Sequence, residues 1–266
     1  SGPPARDAHA MAYDAARDRV VLFGGYNGAQ YLGDTWEWAW TYQTEVIEGY
    51  LVTAPNGNRL WTKIIQPRAD LYPGLAFPAV VNVPGGLGAG EGGNLDMAAT
   101  GFVEFHFNAE GRGTAHPSQG VENHNGFIHQ DDLKAVIEFA HSRPNVLDDN
   151  VGVVTGSYGI TMGAGCLGRY PALEVKYLVD GEGPSDSFVT SFEPWALDSD
   201  PSNDRHQLGY AIFGHWSLYR DPSPQNEAWW SEREATRYMG GIRCRYLRVQ
   251  AEWDHAQPPT VAADLT

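Results

Sequence analysis

The spacing of apolar and polar residues divides the chain into two stretches of different character. In the first forty residues, short apolar runs are separated by turn residues. These are Arg6-Asp7-Ala8-His9-Ala10-Met11-Ala12-Tyr13-Asp14, Arg19-Val20-Val21-Leu22-Phe23-Gly24-Gly25, and Leu32-Gly33-Asp34-Thr35-Trp36-Glu37-Trp38. Each run is strand-length, and the glycines supply the turns. From Thr41 the pattern changes. Thr44–Thr53 and Leu60–Ile65 predict two strands, with Asn56-Gly57 between them as a hairpin signal. Phe77–Val83 and Gly101–Phe107 predict two more. Leu133, Val136, Ile137 and Ala140 then share one face at helical spacing, predicting a helix over Asp131–Ala140. Asp131 and Asp132 are expected at its N-terminus, where the helix dipole favours negative charge. Val151–Val154 predicts a strand, Ile160–Arg169 a helix, and Glu174–Asp180 and Arg245–Ala251 the last strands. Strands alternating with helices imply an α/β fold with a mostly parallel sheet and right-handed crossovers. Residues 184–240 are long, polar and rich in Pro and Trp, and interrupt that alternation.

Composition narrows the functional classes. A chain of 266 residues, 42% hydrophobic, can bury a sizeable core as one large domain or two small ones. No apolar stretch approaches the ~18 residues of a transmembrane helix. The start, Ser1-Gly2-Pro3-Pro4, has neither a basic n-region nor an apolar h-region, so no signal peptide is visible. A net charge of −15 argues against nucleic acid as a partner, because phosphates repel an acidic surface. Two cysteines, Cys166 and Cys244, exclude a disulfide scaffold. Two buried thiols are expected in preference to one bridge. Nine Trp and 13 Tyr suit a pocket for organic substrates, and equally a β-rich core.

The candidate chemistry centres on Thr155-Gly156-Ser157-Tyr158-Gly159, between the Val151–Val154 run and the Ile160–Arg169 helix. A serine in a tight strand-to-helix turn projects its hydroxyl above the sheet edge, and small neighbours allow the crowding this needs. The usual pattern is G-x-S-x-G, and Thr155 departs from it. A serine in an ordinary strand–helix loop is the competing explanation. The cluster His116, His124, His129, Asp131 and Asp132 has metal-ligating residue types. It lacks an H-E-x-x-H or C-x-x-C pattern, and a polar loop over the sheet edge explains it as well, so no metal is expected. The glycine-rich run Gly85–Gly93 lacks a G-x-G-x-x-G leading into a helix and a ribose-binding acid, so no organic cofactor is implied.

Taken in order, these segments resemble the α/β-hydrolase superfamily over about residues 44–266, closest in flavour to its dienelactone-hydrolase and prolyl-oligopeptidase-like branches. Pro78 through Gly88 resembles the strand and oxyanion loop. Asn108-x-x-Gly111-Arg112-Gly113 resembles a D-x-R-G-x-G turn, with Asn108 and Glu110 departing. Thr155 to Gly159 resembles the nucleophile elbow. Leu247 to Asp254, followed by Pro258-Pro259, resembles the strand and turn that hold the catalytic acid. The resemblance implies a serine hydrolase acting on small ester or acyl substrates. Ser157 is then the nucleophile, Asp254 the acid, and the N–H of Tyr158 with that of Gly86 or Leu87 the oxyanion hole. Glu182 is a minor alternative acid. The insertion falls where this superfamily places a cap. Trp195, Phe213, Trp216, Tyr219, Trp229 and Trp230 there could wall a substrate pocket, with Trp195 and Trp216 the named candidates; packing of cap on core is the plainer role for most of them.

Residues 6–38 resemble one kelch repeat, giving a division into a kelch-like β segment (1–40) and a hydrolase domain (41–266). A lone blade cannot close a propeller, and its aromatics call for cover, so a protein partner is one expectation. The lack of a full propeller favours an esterase over an oligopeptidase. The family's chain order is Ser, acid, His. Past Asp254 the only histidine is His255, adjacent to the acid. Three explanations stay open: the chain ends before its final helix and strand, which is preferred; a histidine such as His215, His206, His106 or His124 is recruited; or the protein binds partners without turnover.

Overall fold

The computed structural model of the protein describes residues 3–14, 19–39, 41–183, 228–229 and 231–250. Three short strands open it: β1 (Ala10–Asp14), β2 (Arg19–Phe23) and β3 (Thr35–Ala39), antiparallel in that order. They coincide with the three runs picked out by the sequence. Register places Met11, Leu22 and Trp36 side by side, then Tyr13, Val20 and Trp38, on one apolar face. The Arg6 guanidinium pairs with both Asp34 carboxylate oxygens, and Trp36 Nε1 donates to Asp34 Oδ2 (2.6 Å).

A seven-stranded sheet follows, made of β4 (Thr44–Thr53), β5 (Arg59–Pro67), β6 (Phe77–Val83), β7 (Val103–Phe107), β8 (Val146–Gly156), β9 (Tyr177–Gly181) and β10 (Arg245–Val249). Its order is β10-β9-β8-β6-β7-β5-β4. The five strands from β10 to β7 are parallel, and β5 and β4 are antiparallel additions at one edge. Asn56-Gly57 makes the predicted hairpin turn, with Gly57 at φ +93°. This is the α/β fold with a mostly parallel sheet that the sequence implied.

Helices α1 (Phe127–His141) and α2 (Gly159–Arg169) pack on one face of the sheet. Strand alternation sends Val81, Val83, Phe105, Phe107, Val151 and Val153 to that face, where they meet Leu133, Val136 and Ile137 of α1 and Ile160 of α2 in a continuous core. The short helix α3 (Ala235–Met239) lies against α2, where Gly168 leaves room for Tyr238.

Residues of the opposite parity carry charge. Glu104, His106 and Asn82 sit side by side on β7 and β6, the first two fully buried. Glu104 accepts N–H bonds from Leu95, Met97 and Ala98 (2.7–2.9 Å) and faces His106 Nε2 at 2.9 Å. Burial opposes its ionisation, but these donors win and hold its pKa at about 2. The carboxylate thereby pins the long β6–β7 connection onto the sheet.

Two element starts differ most from expectation. β8 starts at Val146 because Phe77 pairs with Val146 before a register shift brings Ala79 opposite Val151. The intervening Leu147-Asp148-Asp149-Asn150 is largely exposed, so polarity concealed the strand. α1 starts at Phe127, four residues early, because Asn123 Oδ1 takes the Ile128 N–H (3.1 Å) and Gly126 is the cap residue. Asp131 and Asp132 are therefore in the second turn, not at the N-terminus, and Asp132 is fully buried. Cys166 is buried, whereas Cys244 is only partly so, and both are free thiols.

Candidate active site

The strand order itself selects a place for a ligand. The chain leaves β6 toward β7 on one side and leaves β8 toward β9 on the other. The crevice between the C-terminal ends of β6 and β8 is thus a topological switch point, where open α/β sheets bind ligands. Ser157 ends β8 there, and Pro84-Gly85-Gly86 ends β6 beside it. An apolar cleft of about 200 Å³, lined by Pro67, Tyr72, Leu75, Phe77 and Pro144, opens at the other end of β6, away from this chemistry.

Ser157 has φ +47°, a left-handed conformation that costs a non-glycine residue about 1–2 kcal/mol. The turn is fixed at both ends: Ser157 N–H donates to the Gly181 carbonyl (2.7 Å), and Ile160 N–H to the Ser157 carbonyl (3.2 Å). Tyr158 caps the N-terminus of α2. A side chain at Gly85 would approach Ser157 Cβ to 2.9 Å and the Gly156 carbonyl to 2.8 Å, so the loop after β6 can lie against the serine only with glycine there. That loop turns at Gly86 (φ +57°), closed by Gly88 N–H to the Gly85 carbonyl (2.9 Å). This bond leaves the amides of Gly86 and Leu87 outside the turn's own closure.

The departure at Thr155 has a structural counterpart. A Cβ on Gly163, one turn into α2, would lie 2.5 Å from Thr155 Cγ2. The volume that threonine adds below the elbow is therefore accommodated by the missing side chain on the helix. Gly163→Ala should cost about 1–3 kcal/mol by overpacking, and Thr155→Gly in the same chain should recover most of it. Urea unfolding of the two single variants and the double variant measures this coupling; additive losses would remove the explanation.

Asn108 also departs from the resembling pattern, for a visible reason. Its Oδ1 accepts the Gly90 N–H (2.8 Å), while its Nδ2 donates to Glu91 Oε1 (3.1 Å) and to the His116 carbonyl (2.8 Å). An aspartate at 108 would set two carboxylates together, whereas the amide bridges the glycine-rich loop after β6 to the 108–118 turn. Glu110 reaches Asn56 and Asn58 instead (2.5 and 2.6 Å), and Arg112 pairs with Glu122 through two 2.9 Å bonds. Burial raises the Glu122 pKa, but the Arg112 guanidinium outweighs it and the net direction is down.

The loop 122–126 rests on the elbow. His124 and Asn125 are both left-handed (φ +50° and +63°). Tyr158 Oη donates to the His124 carbonyl (3.3 Å), and Asn125 Nδ2 donates to the Tyr158 carbonyl (2.9 Å). Arg233, buried near the end of the 184–240 insertion, donates to the carbonyls of His124 (3.0 Å) and Asn123 (2.5 Å) and stacks on Trp229 at 3.7 Å. Of the metal-type cluster, His116 stacks on Trp61, and Asp131 pairs with Arg169. His129 is buried beneath the loop, its pKa lowered to about 3 by burial and by Arg112.

The structure thus sets Gly85 against Ser157 at the crevice, with Gly86 and Leu87 next in the same loop and Tyr158 next after the serine. Among the recruitment candidates, His106 is fully buried between Glu104 and Asn82, while His124 lies on the loop touching Tyr158. Asp254, His255, His206, His215, Trp195, Phe213, Trp216, Tyr219 and Trp230 lie outside the described residues. Glu182 follows β9, with its N–H bonded to the Val249 carbonyl (2.8 Å). Asn125, Asn108 and Glu91 were not singled out for these roles by the sequence. The Asn125-Gly126 dipeptide was a turn signal that could have drawn attention to the loop.

No protein-family model matches the chain, and no curated protein matches it. Solved structures do. Acetyl xylan esterase 1 from Thermoanaerobacterium sp. aligns with a TM-score of 0.61 and 18% identity, over 84% of this chain and 77% of its own. A Mycobacterium tuberculosis puromycin-hydrolyzing peptidase aligns with a TM-score of 0.62 and 18% identity, over 97% of this chain and 39% of its own. The Pyrococcus horikoshii acylaminoacyl peptidase gives a TM-score of 0.60 and 16% identity, over 98% and 42%. The chain spans less than half the length of these two peptidases. At this identity the likeness shows that the chain shares the α/β fold of these esterases and peptidases, with its mostly parallel sheet.

Proposed function

We propose that this protein is a serine hydrolase that cleaves carboxylic esters through an acyl-enzyme. Ser157 Oγ forms a bond to the substrate carbonyl carbon, the alcohol leaves with a proton, and water then releases the acid. The N–H of Tyr158 and that of Gly86 or Leu87 stabilise the tetrahedral oxyanion. Asp254 is the acid that orients the base, and Trp195 and Trp216 line the substrate pocket. Residues 1–40 are taken as a kelch-like β segment available to a protein partner, and 41–266 as the catalytic domain with its insertion at about 184–240.

The observation that carries this proposal is Ser157 at φ +47° in the switch-point crevice, with Gly85 in contact and a helix N-terminus immediately after it. The ester preference is supported by the fold shared with acetyl xylan esterase 1 over 77% of that enzyme's chain. A peptidase is the second reading, favoured by alignments that extend over nearly the whole chain for both peptidases.

Stoichiometric phosphonylation of the folded protein by a fluorophosphonate, read by intact mass, tests the nucleophile. Turnover of short-chain p-nitrophenyl esters against aminoacyl p-nitroanilides then separates the two substrate classes. A folded protein that takes no label would leave two of the sequence-based explanations, a hydrolase fold lacking its histidine or binding without turnover.

A further inference from the structure

We propose that Asn125 is a positioning residue for the oxyanion hole, an inference that rests on the hydrolase function proposed above. Asn125 is fully buried at φ +63°, and four polar groups of this one residue are engaged. Its N–H donates to His129 Nδ1 (3.2 Å), and its carbonyl accepts from Gln130 Nε2 (3.1 Å). Its Oδ1 accepts from Arg112 Nη2 (2.7 Å), and its Nδ2 donates to the Tyr158 carbonyl (2.9 Å). Arginine can only donate and a carbonyl can only accept, so these partners fix the orientation of the amide.

The mechanical consequence lies in what Tyr158 does. Its N–H is the oxyanion donor contributed by the elbow, and its carbonyl lies on the other side of the same residue. Thr161 Oγ1 also bonds that carbonyl (2.9 Å), but from within the helix it caps. Asn125 ties it to the rest of the fold, 33 residues away in sequence. The tie continues through Arg112 to Glu122, and through the His129 Nε2–H to the Glu110 carbonyl (2.9 Å). The Tyr158 ring is held by the same loop through the His124 carbonyl. Asn125 therefore sets the direction of a donor it does not contact, and acts on the reaction through Tyr158.

Two variants separate this role from packing. Asn125→Gly removes the side chain while keeping a residue at ease with φ +63°. Asn125→Asp keeps the shape and the contact with Arg112, but sets an oxygen against the Tyr158 carbonyl. The active fraction of each is counted by fluorophosphonate titration, and ester kinetics are expressed per active site. The expected result is a fall in kcat on the order of 10- to 100-fold in both variants, with KM within about twofold, because a misaimed donor is felt in the transition state and not in substrate binding. Hydrogen exchange at residues 157–161 should speed up in both, with the β6 and β7 amides unchanged. A labelled wild type together with Asn125→Asp retaining kcat within about twofold would overturn the role of Asn125 alone. An unlabelled wild type would remove the hydrolase function and this role with it.

Discussion

Replacing Ser157 by alanine should abolish phosphonylation and lower ester turnover by about 10⁴-fold or more, with no loss of stability. The size follows from the mechanism, since without the nucleophile only binding and the oxyanion donors remain. Stability should hold because alanine keeps the same left-handed backbone and the same flanking hydrogen bonds from Ser157 N–H and to its carbonyl. Ser157→Gly makes the complementary point. Glycine relieves the strain at φ +47°, so this variant should be equally inactive yet about 1–2 kcal/mol more stable than Ser157→Ala. Urea unfolding of the pair measures the difference. Equal stabilities would mean that the elbow stores no strain, and a label surviving in Ser157→Ala would place the nucleophile elsewhere.

Asp132 should make the protein less stable as pH rises from about 4 to about 8. Burial, together with the negative charges of Glu110 and Asp131, pushes its pKa from the ordinary 3.8 up to about 8, against the pull of the Glu110 N–H at 2.9 Å. Below the unfolded value both states are protonated, and its contribution to stability is fully present. As pH rises the unfolded chain ionises first, so the folded state loses ground until Asp132 itself ionises near 8. The integrated loss is on the order of 5 kcal/mol. Asp132→Asn mimics the protonated side chain and should flatten this limb, leaving the variant more stable than wild type by several kcal/mol at pH 8.5 and close to it at pH 4. Parallel curves of unfolding free energy against pH would show Asp132 to be ionised in the folded protein at neutral pH. The acid limb has other owners. His129, held near 3, and Glu104, held near 2, both lose stability as pH falls, the first from 6.5 downward and the second from 4.5. Between about pH 4 and pH 6.5 the Asp132 and His129 contributions oppose one another, so stability should be nearly flat there and fall on both sides.

Asp132 also shows what the sequence could and could not convey. It belongs to the buried face of α1, three residues after His129 and four before Val136, whereas a helix start at Asp131 places it among the first-turn acids. Its chemistry was not legible, because an acid near a helix start reads as a dipole partner until the true cap, Asn123-x-x-Gly126, is known. The strands Thr44–Thr53 and Phe77–Val83 were legible to the residue, since each is apolar enough to stand out and is bounded by turn residues. The serine turn was legible for the same local reason. The support of Tyr158 was not, because it depends on two consecutive left-handed residues and a contact across 33 positions, neither of which leaves a periodic trace.

The pairing of Thr155 with Gly163 bears on how such chains are found. A search for G-x-S-x-G treats the glycine two positions before the serine as an identity, and passes over this protein. The geometry makes it a sum: what must stay small is the combined volume of the last inward residue of the strand and the residue one turn into the helix. Homologues divided between Gly/Ala and Thr/Gly at these two positions would then be one lineage shifting side-chain volume across an interface. A pattern written over both positions would recover them together.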